Sequence, residues 1–244
     1  MDRSEIWLTQ FFNNYLAALG NWILSLLRLP TSPRPWTNYI TVELLVVLII
    51  VVVFAMLRAR LSVVNPGKFQ QIFEILYEFI NGQAEDFVGH EGHRFVAFCG
   101  MLFFFVLFSN LIGLIPGTDA PTMYPFVPCG CAIATFLYYN IAGVQVQGLL
   151  KYLKHFAGPM AALAPLMVVI ELVGNLARPL SLTLRLYANM FAGEAVTNIF
   201  LRFTYVVIPV IFMGLHIFVA FLQAYVFMAL TMIYVAGAVA HQEH

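Results

Sequence analysis

The chain has 244 residues, 61% hydrophobic and only 10% charged, with 12 basic and 12 acidic side chains and a formal net charge of zero. Soluble domains carry about 25% charged residues, so this composition, with a mean hydropathy of +0.86, excludes an ordinary soluble protein and points to a membrane protein. The balanced charge supplies no long-range field for nucleic acid or an acidic substrate.

Residues 1–38 read as an N-terminal segment preceding a single transmembrane domain over 39–244. Asp2, Arg3 and Glu5 open it, and the apolar stretch Leu16 to Leu29 is broken by Asn21 and Arg28 without a small-residue cleavage site. A cleaved signal peptide is therefore not expected. A bilayer core of about 30 Å needs about 20 apolar residues per helix, and windows of that kind fall at 39–57, 95–116, 126–150, 160–200 and 205–240. The expected fold is all-α, with about five transmembrane helices, the last two long. Pro66-Gly67 closes the first span, Pro116-Gly117 with Pro121, Pro125 and Pro128 separates the second from the third, Gly158-Pro159 opens the fourth, and Pro209 falls in the first turns of the fifth.

Between the first two spans, residues 66–88 have a different period. Phe69, Ile72, Phe73, Leu76, Phe79 and Ile80 recur at helical spacing, with Gln70, Gln71, Glu74, Glu78 and Asn81 assigned to the opposite face. This predicts an amphipathic helix lying in the membrane interface or against a partner, its acidic face otherwise simply solvated. Arg58, Arg60, Lys68, Arg94, Lys151 and Lys154 fall on one side of a five-span arrangement, and Arg3, Arg28, Arg34 and Arg202 on the other. The bias toward positive charge inside then puts the N-terminus and Asp119 outside and the C-terminus in the cytoplasm.

Six ionisable groups lie within or at the margins of the spans: Glu43, Glu171, Arg178, Arg185, Glu194 and His216. Such groups are costly in lipid and mark ion paths, proton relays or counter-ions. At about 100° per residue, Glu171, Arg178 and Arg185, spaced by seven, share one helix face, and Asn175 and Asn189 widen that stripe. Glu194, nine residues past Arg185, points to the opposite face, so an intrahelical salt bridge between the two is not expected. His216 and Gln223 share a face of the last span, and the imidazole is the side chain that titrates near neutrality. Blander readings remain for three of the six: His216 as a hydrogen-bonded packing residue, Arg178 snorkelling to the interface, and Glu43 simply wet. Arginine stays charged where a buried lysine can lose its proton, so Arg185 suits a fixed charge better than a proton carrier.

The three cysteines, Cys99, Cys129 and Cys131, lack metal-site spacing and read as small apolar fillers. No phosphate-binding loop, HExxH or GxSxG occurs, so direct nucleotide binding is not expected.

The block "ARPLSLTLRLYANMFAGE" (Ala177 to Glu194), with "GLHIFVAFLQAYVFMALTMIYVAGAVAHQEH" (Gly214 to His244), resembles subunit a of F-type ATP synthases. "FSNLIGLIPG" (Phe108 to Gly117) and "RLSVVNPGKFQ" (Arg60 to Gln70) are similar to further motifs of that family, so the resemblance runs from about residue 39 to the end. It implies a membrane stator channel, not an enzyme by itself, with no cofactor or metal, and since nothing resembles an organelle transit peptide, a bacterial plasma membrane is the expected location. The implied partners are the c-ring, peripheral-stalk b subunits, lipid and protons. Its last two helices would pack as a hairpin against the ring, with Arg185 facing a ring carboxylate. Asn189, Glu194, His216 and Gln223 would belong to an outer half-channel, and Glu171 with Asn110 to an inner one. Pro179 fits the family's pattern. Two other classes remain on the residues alone: a self-contained secondary transporter with a midplane charged site, against which stands the lack of a duplicated half, and a scaffold whose charges bind neighbouring helices.

Overall fold

The computed structural model describes residues 5–26, 28, 30–62, 65–89, 91–115, 118–148, 152, 164–203 and 207–239. The Pro116-Gly117 and Gly158-Pro159 boundaries, Arg3, Lys151, Lys154 and the C-terminal tail lie outside the described residues, as does the side chain of Arg202. The described residues form an all-helical membrane protein. Its helices are α1 (Trp7–Tyr15), α2 (Ala17–Leu26), α3 (Asn38–Ala59), α4 (Lys68–Val88), α5 (Val96–Ile112), α6 (Phe126–Gln147), α7 (Ala164–Phe203) and α8 (Val207–Val239).

Four of these, α3, α6, α7 and α8, are long and apolar enough to cross a membrane, and α5 is a shorter apolar helix of 17 residues. α5 stops at Ile112, ahead of Gly113, four residues short of the expected end of that span. Pro125 caps α6 and Pro128 lies in its first turn, where a proline's missing N–H costs nothing. With 40 residues, α7 would extend about 60 Å, twice the hydrocarbon core, so it must be steeply inclined or project beyond that core.

The core lies where α5, α6, α7 and α8 meet, around Phe103, Tyr139, Leu182, Leu186, Met190, Met228 and Met232. Two contacts two turns apart on α5 converge on neighbouring residues of α8: the Phe103 ring lies 5.8 Å from Phe221, and Asn110 Nδ2 donates to the Ala220 carbonyl at 3.4 Å.

The N-terminal segment, from which no elements were expected, contributes α1 and α2. Thr9 and Thr41 hydroxyls meet at 2.7 Å, and Asn13 exchanges two bonds of 3.0 Å with the backbone of Trp36. These polar pairs tie α1 to the start of α3, while Ile6 joins Val42, Val46 and Ile112 in a second apolar cluster.

α4 forms where the amphipathic period predicts it, but its faces are divided differently. Ile80 and Ala84 are buried, Phe73 and Leu76 half-buried, and Ile72, Ile75 and Phe79 remain exposed. Gln70, expected on the water face, is buried because its amide accepts from Ser62 N at 3.0 Å, donates to Ser62 O at 3.0 Å and reaches Glu74 at 2.7 Å. Its side chain thus substitutes for backbone pairing in the turn between α3 and α4. Tyr225 of α8 donates to Gln83 at 2.8 Å and fixes α4 against the bundle.

Gly143 of α6 makes a close approach to its neighbours. A Cβ there would fall 2.6 Å from the Tyr152 ring and 3.0 Å from the Ala238 carbonyl, whereas one at Gly130 would meet nothing within 4 Å. Gly143→Ala should therefore lower stability by about 1–3 kcal/mol through overpacking, while Gly130→Ala should be neutral or stabilising through helix propensity. Thermal unfolding in detergent measures both, and equal midpoints for the two variants would contradict the close packing.

Candidate functional site: a polar stripe along the last two helices

α7 presents its polar residues where the seven-residue spacing predicts, and the neighbouring helices treat them unequally. At its N-terminal half, Pro179 lies inside the helix and cannot donate to the carbonyl of Asn175, four residues earlier. Tyr139 of α6 fills that role: its hydroxyl reaches the Asn175 carbonyl at 3.4 Å and also bonds the Asn175 side-chain oxygen. Asn175 in turn donates to Asn140 at 3.4 Å, and Tyr152 donates to the same Asn140 oxygen at 2.8 Å. A neighbouring helix has re-satisfied a carbonyl that the proline left open, as polar groups at membrane depth require.

Arg178 belongs to this group. Its guanidinium lies 5.3 Å from the centre of the Tyr234 ring and 5.8 Å from that of Tyr139, within cation–π range, and 3.9 Å from the Glu171 carboxylate. It is held by two rings from other helices and by an acid two turns back, a fuller environment than snorkelling alone would give. The tyrosines were absent from the sequence-based set because nothing in their local spacing marks them.

Arg185 is different. It lies midway along α7, half-buried, and takes part in no ion pair or side-chain hydrogen bond among the described residues. Leu182, Leu186 and Met190 beside it are buried against the bundle. On its other flank Ala177, Ser181, Ala188 and Ala192 are exposed and lie within about 60° of one another by the helical period. The charge therefore stands at the seam between the packed face and an open face of small residues.

Toward the far end of α7 the hairpin closes on α8. The Phe200 and Phe212 rings stack at 4.5 Å, and a Cβ on Gly193 would come within 3.3 Å of His216 Nδ1. Glycine here lets the imidazole lie directly on the helix backbone, next to half-buried Glu194. His216 Nε2 is buried without a hydrogen-bond partner among the described residues. The antiparallel register of these contacts puts half-buried Gln223 level with Arg185, while Asn189 is exposed.

Asn110 and Glu171 are not brought together. Asn110 is fully buried, accepts from Thr122 at 2.6 Å and donates to Ala220, one helical turn from His216. Glu171 and Arg178 lie near Tyr234, about 20 Å further along α8. Glu43 is half-buried in the second turn of α3, apart from both groups.

A cavity of about 570 Å³ opens beside the hairpin, lined by Glu5, Thr9, Arg34, Tyr39, Tyr187 and Phe191 among others. Arg34 and Glu5 pair across its rim at 3.0 Å. Tyr187 and Phe191 lie on the same side of α7 as Glu194 by the helical period. The N-terminal residues of this cavity were missed in the sequence because they carry no motif and reach the site only through the folding of α1 onto α3.

Comparison with known proteins agrees with the geometry. A family model described as ATP synthase A chain matches residues 40–236. The chain is 61% identical over 231 residues to "ATP synthase subunit a" of Solibacter usitatus, covering 95% of this chain and 99% of that one. It is 44% identical over 239 residues to the protein of that name from Koribacter versatilis, covering 97% and 98%. Against that of Aquifex aeolicus it is 35% identical over 212 residues, covering 79% and 98%.

Tyr139→Phe should destabilise the fold by about 1–3 kcal/mol, because it leaves the Asn175 acceptors buried without their donor. Tyr234→Phe keeps the ring beneath Arg178 and should cost less. Denaturant unfolding of the two variants tests this, and the reverse order would contradict the assigned role of the Tyr139 hydroxyl.

Proposed function

The chain belongs to the ATP synthase A chain family, and from that premise we propose that it is the membrane stator that conducts protons past a rotating ring of carboxylate-bearing helices. In this reading it catalyses no reaction alone. It couples the proton gradient across a bacterial plasma membrane to ATP synthesis by the assembled complex, with the N-terminus outside and the C-terminus in the cytoplasm. The c-ring and the peripheral-stalk b subunits are its protein partners.

The observation that carries the proposal is Arg185: a permanent charge at mid-length of an apolar helix, with no counter-charge among the described residues. A guanidinium in that position needs an anion from elsewhere. The exposed small side chains beside it, Ala177, Ser181, Ala188 and Ala192, would let a partner helix approach closely. A ring carboxylate arriving there is stabilised as the anion and releases its proton. As rotation carries it away from the guanidinium, the carboxylate regains a proton from the other side. Because Arg185 stays charged throughout, it also repels protons and blocks a direct leak between the two sides.

Two offset half-channels supply and drain this site. The outer one runs through Asn189, Glu194, His216 and Gln223, with the cavity between α1, α3 and α7, which Glu5 and Arg34 line, as its aqueous mouth. The contact of His216 with Gly193 supports a single group. Asn110 goes with this outer group in our reading, because its partner Ala220 lies one turn from His216. The inner half-channel passes Glu171, with Arg178 and its tyrosine neighbours shaping its wall. Each charge crossing 100 mV yields about 2.3 kcal/mol, so several protons must combine for one ATP.

Arg185→Ala and Arg185→Lys should each abolish ATP synthesis and ATP-driven proton pumping in membrane vesicles, with assembly and soluble ATPase activity retained. Coupled transport surviving in the alanine variant would overturn the proposal and return the self-contained transporter and the scaffold to consideration.

A further inference from the structure

Away from the polar stripe, α3, α4 and α5 enclose a groove of about 590 Å³ whose wall is almost wholly apolar. Phe54, Phe73 and Phe104 form its base, with ring centres 5.3 to 5.7 Å apart in all three pairs. Leu57, Ala97 and Gly100 line its sides. The lining residues that carry polar side-chain atoms, Gln70, Glu74 and Tyr77, all belong to α4, and the Gln70 amide is already engaged with Ser62 and Glu74. Around the Gln70 end stand three exposed cations. Arg58 and Arg60 adjoin the lining residues Leu57 and Leu61, and Lys68 begins α4 two residues before Gln70. None of the three forms an ion pair among the described residues.

We propose that this groove binds one acyl chain of an anionic phospholipid, whose phosphate is held by Arg58, Arg60 and Lys68. The almost wholly apolar wall suits a hydrocarbon chain. A hydrocarbon tail enters it lengthwise. The charge selects the headgroup, since basic residues clustered at the end of a span attract anionic lipid, and the apolar edge of α4 formed by Ile72, Ile75 and Phe79, which stays exposed, keeps that helix at headgroup depth. The bound lipid would seal α4 to α3, two helices otherwise joined at this end by the Gln70–Ser62 bonds.

Native mass spectrometry of the full chain in mild detergent tests the proposal, with phosphatidylglycerol and phosphatidylcholine of equal tails added in turn. Wild type should retain one phosphatidylglycerol per chain in preference to phosphatidylcholine. Each cation removed should weaken that preference about fivefold, so Arg58→Ala, Arg60→Ala and Lys68→Ala together should erase it. Ala97→Trp should expel either lipid by filling the groove. Gly100→Leu repeats that test with a milder change, since its Cβ meets only Ile80 Cδ1, at 3.7 Å. Equal retention of the two lipids by wild type, or unchanged retention in both groove-filling variants, would overturn the proposal. In the assembled complex, a cross-link from Ala97→Cys to a partner's transmembrane helix would likewise overturn it, by showing that a helix covers the groove.

Discussion

A guanidinium that cannot lose its proton, held midway along a helix of 40 residues in an apolar chain, governs how the rest of the molecule is arranged. Its charge is costly in lipid and gains little from the apolar neighbours that pack beside it. The two arginines of α7 meet this constraint in opposite ways. Arg178 has Glu171 and the faces of Tyr139 and Tyr234 within its own chain, whereas Arg185 has none of these and stands beside an exposed face of small residues. One charge is compensated within the chain; the other has no counter-charge among the described residues.

The surrounding fold keeps that arrangement rigid. Pro179 opens the hydrogen-bond ladder of α7 between the two arginines, and Tyr139 fills the opening from α6. Gly143 and Gly193 bring helix surfaces close at the two ends of the hairpin, against Tyr152 and Ala238 in one case and His216 in the other. Small residues in membrane helices permit such approach because packing replaces the hydrophobic effect as the main force between helices in lipid. Glu171, Asn175, Arg178 and Arg185 thus share one face of α7 between these close approaches.

Much of this was legible in the sequence. Hydropathy located the long spans because lipid imposes a minimum length, and the seven-residue spacing placed Glu171, Arg178 and Arg185 on one face because the helix period imposes it. What depended on contacts between distant segments was not legible. The tyrosines around Arg178 come from α6 and α8, and Gln70 is buried through a bond to a loop residue eight positions earlier. Asn110 pairs with Ala220, 110 residues away, a separation that no periodicity encodes. The helices α1 and α2 were missed because, at 9 and 10 residues, each is too short to give a long apolar run, and α1 is positioned by a side-chain pair with α3.

If the open face beside Arg185 is the rotor face, site-directed cross-linking will show it. Single cysteines at Ser181, Ala188 or Ala192 would be paired, in the assembled complex, with cysteines flanking the ring carboxylate, and compared with cysteines at buried Leu182 and Leu186. Cross-links are expected from the first three positions and none from the buried pair. Absence of cross-links from all three open-face positions in a fully assembled complex would contradict it.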